Sequence, residues 1–307
     1  MKYLFGPVNS RRLGVSLGVD ILPMKTCTLD CIYCECGRNS QVNLEAKEYV
    51  PADDVIKEIS AYLDKNSNPD FITFSGGGEP TLNSGIGKII DFIKNYNPKQ
   101  KVAIITNGTL LGNPEIRARI LRADIIMPSL DAVSPKIFEK INRPAEGLSP
   151  EKIINGIALL KKEAKGEVWV EVFILPDIND TLEELGLIRE ALLKISPDRV
   201  QLNTLDRPAL AKTLRSISMG ELSKIKEFME PLYTEVIASP KMVNMKSMSP
   251  ACGNILQILS RRPSTLEDLK ALFPSNESVL KRYLQELENS DKIVRKLEKR
   301  GEFYKLK

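Results

Sequence analysis

Four of the five cysteines lie within ten residues of one another, and their side chains are the groups in this sequence best suited to chemistry. Cys27, Cys31 and Cys34 follow a C-x3-C-x2-C spacing, Cys36 comes two residues later, and Cys252 stands alone near the end. Thiolates at such spacing bind zinc or an iron–sulfur cluster. A zinc site would use Cys36 as its fourth ligand, whereas three cysteines on a four-iron cluster leave one iron open to a substrate.

Histidine is absent from all 307 residues, and its absence excludes several common catalytic sites. Ser/His/Asp and Cys/His nucleophile pairs, His-ligated zinc and imidazole proton shuttles all require it. With 42% hydrophobic and 27% charged residues, the chain has the composition of a folded protein with one large core, or a large domain and a small one. No signal peptide or membrane span is readable, so we expect a cytoplasmic protein with no membrane partner.

Six short apolar runs, often β-branched, are typical of buried strands: residues 17–22, 71–75, 101–106, 124–129, 168–174 and 199–203. Segments with helical spacing separate most of them: residues 53–63, 86–96, 114–121, 151–162 and 182–193. This alternation predicts an α/β fold, a partial parallel (β/α)6 barrel over residues 1–215. A connecting helical segment, 216–249, and a small domain, 250–307, should follow.

Polar and glycine residues follow the predicted strands at the edge where such folds carry their chemistry. They are Cys27 after the first strand, Gly76, Gly77, Gly78 and Glu79 after the second, Asn107 after the third, and Ser129 and Asp131 after the fourth. Each has a simpler interpretation. The glycines and Asn107-Gly108 are turn signals, and Asp131 is placed to cap a helix near Ser134.

The last 58 residues differ from the rest in charge and in pattern. Residues 250–307 hold 12 basic and 8 acidic side chains, so the net charge of +4 resides there. Three helical segments (253–259, 265–272 and 278–288) precede two strand-like runs (292–297 and 302–306), a pattern that resembles a winged helix-turn-helix domain. Such a domain binds nucleic acid, binds protein, or serves as a structural lid.

The cysteine spacing, with Tyr33 directly before the third cysteine, resembles the signature of the radical S-adenosylmethionine (radical SAM) superfamily. The resemblance implies one 4Fe–4S cluster on Cys27, Cys31 and Cys34, and S-adenosylmethionine as the second cofactor. It implies reductive cleavage of S-adenosylmethionine to a 5'-deoxyadenosyl radical, with electrons from an external reductant such as flavodoxin or ferredoxin. Zinc and a non-catalytic nucleic-acid-binding module form the competing hypothesis.

The same resemblance implies which residues contact S-adenosylmethionine. Gly76, Gly77, Gly78 and Glu79 match the glycine-rich segment that binds the methionine amino group, and Tyr33 and Asn107 would face the cofactor. Ser129 and Asp131 would hold the ribose hydroxyls and the methionine carboxylate. Leu175 and Asn203, at the ends of the fifth and sixth strands, would border the adenine.

Within the superfamily, residues 6–14, 18–20 and 75–82 are similar to the wyosine-forming tRNA enzymes, which rebuild a methylated guanosine beside the anticodon. Those enzymes carry extra cysteines ahead of the radical motif, and no cysteine precedes Cys27 here. We therefore expect modification of an RNA nucleoside in tRNA, with a protein, peptide or small molecule as the alternative substrate. Arg11 and Arg12 either form salt bridges or hold an anionic group such as phosphate.

The small domain offers basic groups for a phosphate backbone. They are Lys281 and Arg282 on the third helix, and Arg295, Lys296, Lys299 and Arg300 on the hairpin. The sequence therefore predicts tRNA as a partner of residues 250–307.

Overall fold

The computed structural model describes residues 2–39, 42–65, 69–209, 211, 213–237, 252–273, 277–298 and 300–307, with only the backbone of residues 252–254. A single sheet of eight strands, in sequence order, dominates the described part. The strands are β1 Leu4–Ser10, β2 Gly14–Val19, β3 Phe71–Phe74, β4 Lys101–Thr106, β5 Ile125–Pro128, β6 Glu167–Phe173, β7 Arg199–Asn203 and β8 Thr234–Val236. Strands β1 and β2 pair antiparallel and every later pair is parallel, so the carboxyl ends of β2–β8 share one edge.

Helices connect the parallel strands and cover one face of the sheet. They are α1 Ala52–Leu63, α2 Ile86–Tyr96, α3 Pro114–Ile120, α4 Pro135–Asn142, α5 Pro150–Glu163, α6 Leu182–Ile195 and α7 Met219–Phe228. N-cap residues fix where three of these helices begin: the side chains of Asn113, Ser149 and Thr181 each accept a hydrogen bond from a backbone N–H of the first turn. No helix among the described residues is both long and apolar enough to cross a membrane.

The predicted α/β fold is confirmed, but the predicted count of six strands is wrong. The six runs correspond to β2–β7, and the sheet has an additional strand at each edge. Strand β1 carries Gly6-Pro7 and the polar Asn9 and Ser10, so its pattern does not look like a strand. Strand β8 has only three residues, and it lies with α7 in the segment predicted to be a helical connection, of which residues 238–249 fall outside the described part.

Alternate side chains of each strand face the helices or the interior of the barrel. Val102 and Ile104 of β4 belong to the helix-facing core, together with Ile72 and Val170. On the inner face, an apolar cluster of Leu13, Phe71, Ala103, Ile125, Met127 and Trp169 fills one end. Inner residues nearer the other end are polar, as in the hydrogen bond of 2.7 Å between the hydroxyls of Ser16 and Thr73. The barrel therefore has a filled apolar end and a polar end toward the cysteines.

The C-terminal elements form a second, smaller core. They are α8 Cys252–Arg261, β9 Ser264–Thr265, α9 Leu266–Leu272, α10 Glu277–Asn289, β10 Ile293–Glu298 and β11 Gly301–Leu306, with a three-stranded sheet in the order β10-β11-β9. Val8 of β1 joins this core, and Arg261 Nε donates to Asp20 Oδ2 at 2.8 Å. The small core is therefore packed against the edge of the barrel.

Candidate active site

The three cysteines lie on the long loop between β2 and α1, at the carboxyl edge of the sheet. This loop pairs with the end of α4: the Asp30 amide donates to Asn142 O at 3.0 Å, and the Ile32 amide to Ile141 O at 2.9 Å. The Cys34 amide donates to Cys31 O at 3.1 Å, which closes a turn between these two cysteines. The fold thus holds the loop by backbone bonds and leaves its half-buried thiols available.

Two asparagine side chains donate to the cysteine sulfurs. Asn107 Nδ2 lies 3.5 Å from Cys27 Sγ, and Asn142 Nδ2 lies 3.4 Å from Cys31 Sγ. N–H donors toward sulfur stabilise ligating thiolates and tune an iron–sulfur cluster. In the described part, no three Cys, Asp or Glu side chains converge on the position of a single metal ion. Three free thiols on one loop, two of them with an amide N–H donor, suit a four-iron cluster, which binds each thiolate at a separate iron.

Burial keeps the thiols of Cys27 and Cys31 protonated in the absence of a metal. It raises the pKa of Cys27 to about 12, with the charge of Glu79 as a second cause, and it raises the pKa of Cys31 well above its ordinary value. A hydrogen bond with Cys36 lowers the pKa of Cys34, against the effect of burial. The thiol of Cys36 itself donates to Gly76 O at 3.5 Å. Cluster assembly must therefore release protons.

Glu79 is a buried anchor that accepts hydrogen bonds from two neighbouring strand ends. Its Oε1 accepts the Thr81 amide at 3.1 Å, the Thr81 hydroxyl at 2.5 Å and the Thr106 hydroxyl at 2.6 Å. Its Oε2 accepts the amide of Asn107 at 2.7 Å. The carboxylate thus fixes the asparagine that donates to Cys27, and its predicted contact with the methionine amino group stays a prediction.

The glycine triplet provides room for the cysteine loop. A Cβ on Gly78 would lie 2.0 Å from Thr26 O, and Gly76 has φ +147°, where side chains are strained. The Lys25 amide donates to Gly77 O, and the Glu79 amide to Thr26 O. Residues 24–26 thus approach the backbone of Gly77 and Gly78 closely, and the predicted contact of the glycines with the methionine amino group stays a prediction.

Asp131 holds three elements together beneath the cysteines. Its Oδ2 accepts the Tyr33 hydroxyl at 2.5 Å and Asn142 Nδ2 at 2.9 Å, and its Oδ1 accepts the Phe173 amide at 3.0 Å. The ring of Tyr33 stacks on Phe173 at 4.1 Å between centroids. Asp131 does not cap the helix at Ser134, whose amide donates to Glu184 instead. The predicted contacts of Tyr33 with the cofactor and of Asp131 with ribose stay predictions.

The remaining predicted contacts are Ser129, which is half-buried, and Leu175 and Asn203, which are buried. Ser129 lines a small cavity with Tyr33, Asn107 and Asp131, which brings four predicted residues together. Leu175 is fully buried beside Phe173. Asn203 Nδ2 donates to Glu171 Oε2 at 3.1 Å inside the barrel. The contacts predicted between these side chains and S-adenosylmethionine stay predictions.

The two predicted arginines behave differently. Arg12 forms a salt bridge of 2.6 Å with Glu171 across the barrel, whereas Arg11 lies 4.0 Å from Asp206.

Four residues near the site were not predicted from the sequence: Asn142, Arg207, Arg261 and Arg262. The helix predicted near Ser134 is α4, and no local signal shows that its last residue, Asn142, reaches Cys31.

The predicted phosphate-binding cations of the small domain are paired with carboxylates. Lys281 bonds Glu277 at 2.8 Å, and Lys296 bonds Glu298 at 2.6 Å. Arg282, Arg295 and Arg300 also lie within ion-pair distance of carboxylates. Lys299 and the side chain of Cys252 lie outside the described residues.

Comparison with known proteins agrees with the site. Residues 21–187 match the sequence profile described as "Radical SAM superfamily". The chain belongs to the radical SAM superfamily. A UPF0026 protein of Methanocaldococcus jannaschii is 31% identical over 100% of this chain and 93% of its own length. A protein of Brachyspira hyodysenteriae described as "GTPase Obg" is 38% identical over 95% of this chain, but the chain spans only 43% of that relative.

Two further proteins are more distantly similar to this chain. The GTP 3',8-cyclase of Clostridium acetobutylicum is 26% identical over 88% of this chain and 85% of its own length. A solved structure described as TYW1 with a lysine-pyruvate adduct bound has a TM-score of 0.54 at 19% identity, over 74% of this chain and 75% of that one. The predicted enzyme class is confirmed, and the cofactors of this radical SAM enzyme are a 4Fe–4S cluster and S-adenosylmethionine.

The Asp131 group makes the stability of the cluster-free protein depend on pH. Burial raises the pKa of Asp131 to about 6, against the hydrogen bonds that lower it. A raised carboxyl pKa favours the folded state at low pH, and this contribution is lost as pH rises from about 4 to about 6. The unfolding free energy of wild type minus that of Asp131→Asn should therefore fall between pH 4.5 and pH 7, as urea unfolding of cluster-free protein would show. A difference that stays constant or rises would contradict this.

Proposed function

We propose that this radical SAM enzyme modifies an RNA nucleoside, with tRNA as its substrate. One observation carries the proposal, a cavity of about 550 Å³ between the barrel and the small domain. Its lining includes Arg11, Arg207 and Arg215 from the barrel side and Lys296 and Arg300 from the hairpin. A cavity of this size accommodates a nucleotide, and its cations suit phosphate.

The relatives support a nucleotide substrate without naming it. The GTP 3',8-cyclase acts, by its name, on a guanine nucleotide. The motifs that resemble wyosine-forming enzymes point to a nucleoside of tRNA. A peptide or other protein substrate is the alternative, and the ion pairs of Lys281 and Lys296 favour it, because they lower the positive charge available to RNA.

The chain's own residues contribute binding, orientation and shielding. When bound, the cofactors supply reductive cleavage of S-adenosylmethionine and a 5'-deoxyadenosyl radical that abstracts hydrogen. Cys27, Cys31 and Cys34 would hold the cluster, and Asn107 and Asn142 would donate to two of its thiolates. The polar end of the barrel, beside this loop, would receive the nucleoside and exclude water from it.

We infer that residues 250–307 form a winged helix-turn-helix domain that helps to bind tRNA. The order of α8, β9, α9, α10 and the hairpin β10–β11 supports this. The side chains of Lys281 and Arg282 on α10 are 59% and 64% exposed. Surface ion pairs like theirs contribute about 0–1 kcal/mol, so phosphates can replace their carboxylate partners.

An external reductant such as flavodoxin or ferredoxin would deliver electrons near Cys34. A groove of about 340 Å³ beside this cysteine is lined by Arg295, Lys296 and Lys305. Positive charge at this position favours an acidic electron donor, because complementary charge speeds association.

The proposed substrate can be tested with anaerobically reconstituted enzyme, S-adenosylmethionine, a reductant and total tRNA. We expect tRNA to increase the yield of 5'-deoxyadenosine and a nucleoside of altered mass to appear after nuclease digestion. DNA of similar length is the control polymer. Stimulation by a peptide pool, with no altered nucleoside in the tRNA, would contradict the proposal and favour the alternative substrate.

Binding of tRNA should weaken steeply as salt rises, by a slope of about 0.9 per phosphate contact for a duplex. A Lys281→Gln, Arg282→Gln double variant should bind tRNA more weakly and with a shallower slope. The matched control is Lys57→Gln with Lys88→Gln, two exposed lysines on the outer helices. Equal binding by the two double variants would remove α10 from the tRNA interface.

A further inference from the structure

A second cavity lies inside the barrel, at its polar end. Inward-facing residues of three strands line it: Ser16 and Gly18 of β2, Thr73 next to the end of β3, and Ile105 of β4. Cys36 and Gly76 border it on the side of the cysteine loop. The cavity measures about 230 Å³ and shares Arg11 and Arg207 with the larger cavity described above.

Cations dominate the charged lining of this cavity. Five arginines and one carboxylate, Glu35, line it; the arginines are Arg11, Arg12, Arg207, Arg261 and Arg262. Carboxylates outside the cavity neutralise two of these arginines, since Arg12 pairs with Glu171 and Arg261 pairs with Asp20. Arg207 uses Glu35 itself, at 3.1 Å.

The positive charges of the other two arginines, Arg11 and Arg262, are only weakly neutralised by carboxylates. The only carboxylate within ion-pair distance of Arg11 among the described residues is Asp206, at 4.0 Å, and Asp206 also lies within 3.7 Å of Arg207 and 3.4 Å of Arg300. The guanidinium of Arg262 makes no ion pair within the described part, and its buried Nε has no hydrogen-bond partner. With Arg300 and its partner Asp268 included, four arginines meet three carboxylates in this region, Glu35, Asp206 and Asp268.

The electrostatics of the group agree with this geometry. Burial and the nearby charge of Arg207 lower the pKa of Arg262 to about 9 and lower the pKa of Arg11. Crowded guanidinium groups gain stability when an anion enters among them, because the anion supplies the missing opposite charge. Guanidinium groups also match the geometry of phosphate oxygens with paired N–H donors.

We propose that Arg11, Arg207 and Arg262 bind a phosphate group of the substrate inside the barrel and so hold the nucleotide beside the cluster loop. This inference rests on the proposed nucleotide substrate and adds the groups that position it. Arg262 comes from the small domain and Arg11 and Arg207 from the barrel, so the site is complete only when the two parts are packed together. The small domain then contributes to substrate positioning as well as to RNA capture.

The test is calorimetric titration of cluster-loaded, S-adenosylmethionine-bound enzyme with guanosine 5'-monophosphate, guanosine and pyrophosphate. We expect the nucleotide to bind at least about tenfold more tightly than the nucleoside, since charge-assisted hydrogen bonds are the stronger class. Arg11→Gln and Arg262→Gln should each weaken nucleotide and pyrophosphate binding by about tenfold or more and leave guanosine binding unchanged. Arg262 is the better position, because its loss leaves no carboxylate unpaired within the described residues.

The matched control is Arg122→Gln, an exposed arginine paired with Asp91 on the outer surface, which should bind all three probes like wild type. Cluster absorbance and melting temperature show that each variant is folded. Unchanged nucleotide affinity in both cavity variants would overturn the inference, as would weakened S-adenosylmethionine binding alone, because the arginines would then hold the cofactor. If pyrophosphate binding depends on the arginines but guanosine 5'-monophosphate binds no more tightly than pyrophosphate, the anion site would be supported and the proposed nucleotide substrate would be contradicted.

Discussion

A Cys27→Ala, Cys31→Ala, Cys34→Ala variant is expected to lose the iron–sulfur cluster completely. Anaerobic reconstitution of the wild type should yield about four irons and four sulfides per chain, with visible absorbance that air bleaches. The triple variant should hold almost no iron, because only one thiol, that of Cys36, remains on the loop. Iron and sulfide analysis with absorbance spectra measures this directly.

Cys36→Ala is the matched control for the cysteine loop. Its thiol is directed to Gly76 O and Cys34, so it contributes a hydrogen bond and need not be a ligand. We expect this variant to keep full iron content. A loss of cluster in Cys36→Ala, or a single tightly held zinc with no iron uptake in wild type, would contradict the assignment of the three ligands.

Replacing Glu79 with alanine should have the second-largest effect. The change removes four hydrogen bonds and leaves the Thr106 hydroxyl and the Asn107 amide without their acceptor. Leaving buried donors unpaired costs about 1–3 kcal/mol each, so the loss at these two donors should lower the free energy of unfolding by about 2–6 kcal/mol. Affinity for S-adenosylmethionine should fall as well, while the cluster still assembles. Denaturant unfolding and equilibrium binding measure the two effects.

Two further variants make this test specific. Glu146 is exposed, and Glu146→Ala should match wild type in stability and cofactor binding. Glu79→Gln keeps one acceptor oxygen but sets an NH₂ group against a backbone N–H, so it should lie between wild type and Glu79→Ala. If Glu79→Ala keeps wild-type stability and wild-type affinity for S-adenosylmethionine, this carboxylate neither stabilises the fold nor contributes to cofactor binding.

The parallel strands could be predicted because their side chains face the core on both sides. Lys101–Thr106 and Arg199–Asn203 were predicted with their observed bounds, since unbroken apolar or β-branched runs between helical segments have few other interpretations. The edge strands β1 and β8 could not be predicted in the same way. One includes Gly6-Pro7, and the other is too short for its pattern to be recognised.

The positions of the candidate ligands could be predicted from the sequence, whereas those of the residues around them could not. The three cysteines can be recognised within a stretch of eight residues. The side chain that donates a hydrogen bond to Cys31, that of Asn142, is 111 positions away, at the end of α4. Arg261 meets Asp20 across 241 positions. Contacts of this kind depend on how the elements pack, and a single sequence carries no local sign of them.

The same limit explains why roles were harder to predict than positions. Glu79 and Asp131 were placed correctly at strand ends, yet their carboxylates already accept four and three hydrogen bonds from the protein. A sequence shows which acid is near a site. Only the packed structure shows how many of its acceptor positions are in use.

Reductive cleavage of S-adenosylmethionine by a cluster on Cys27, Cys31 and Cys34 is tested most directly by analysis of its products. Reconstituted enzyme, S-adenosylmethionine and a strong reductant should give 5'-deoxyadenosine and methionine in equal amounts, slowly even without substrate. Chromatography with mass spectrometry should find neither product above background when the reductant is omitted or the triple cysteine variant is used. No 5'-deoxyadenosine from cluster-loaded wild type, or equal yields from the triple variant, would contradict this mechanism.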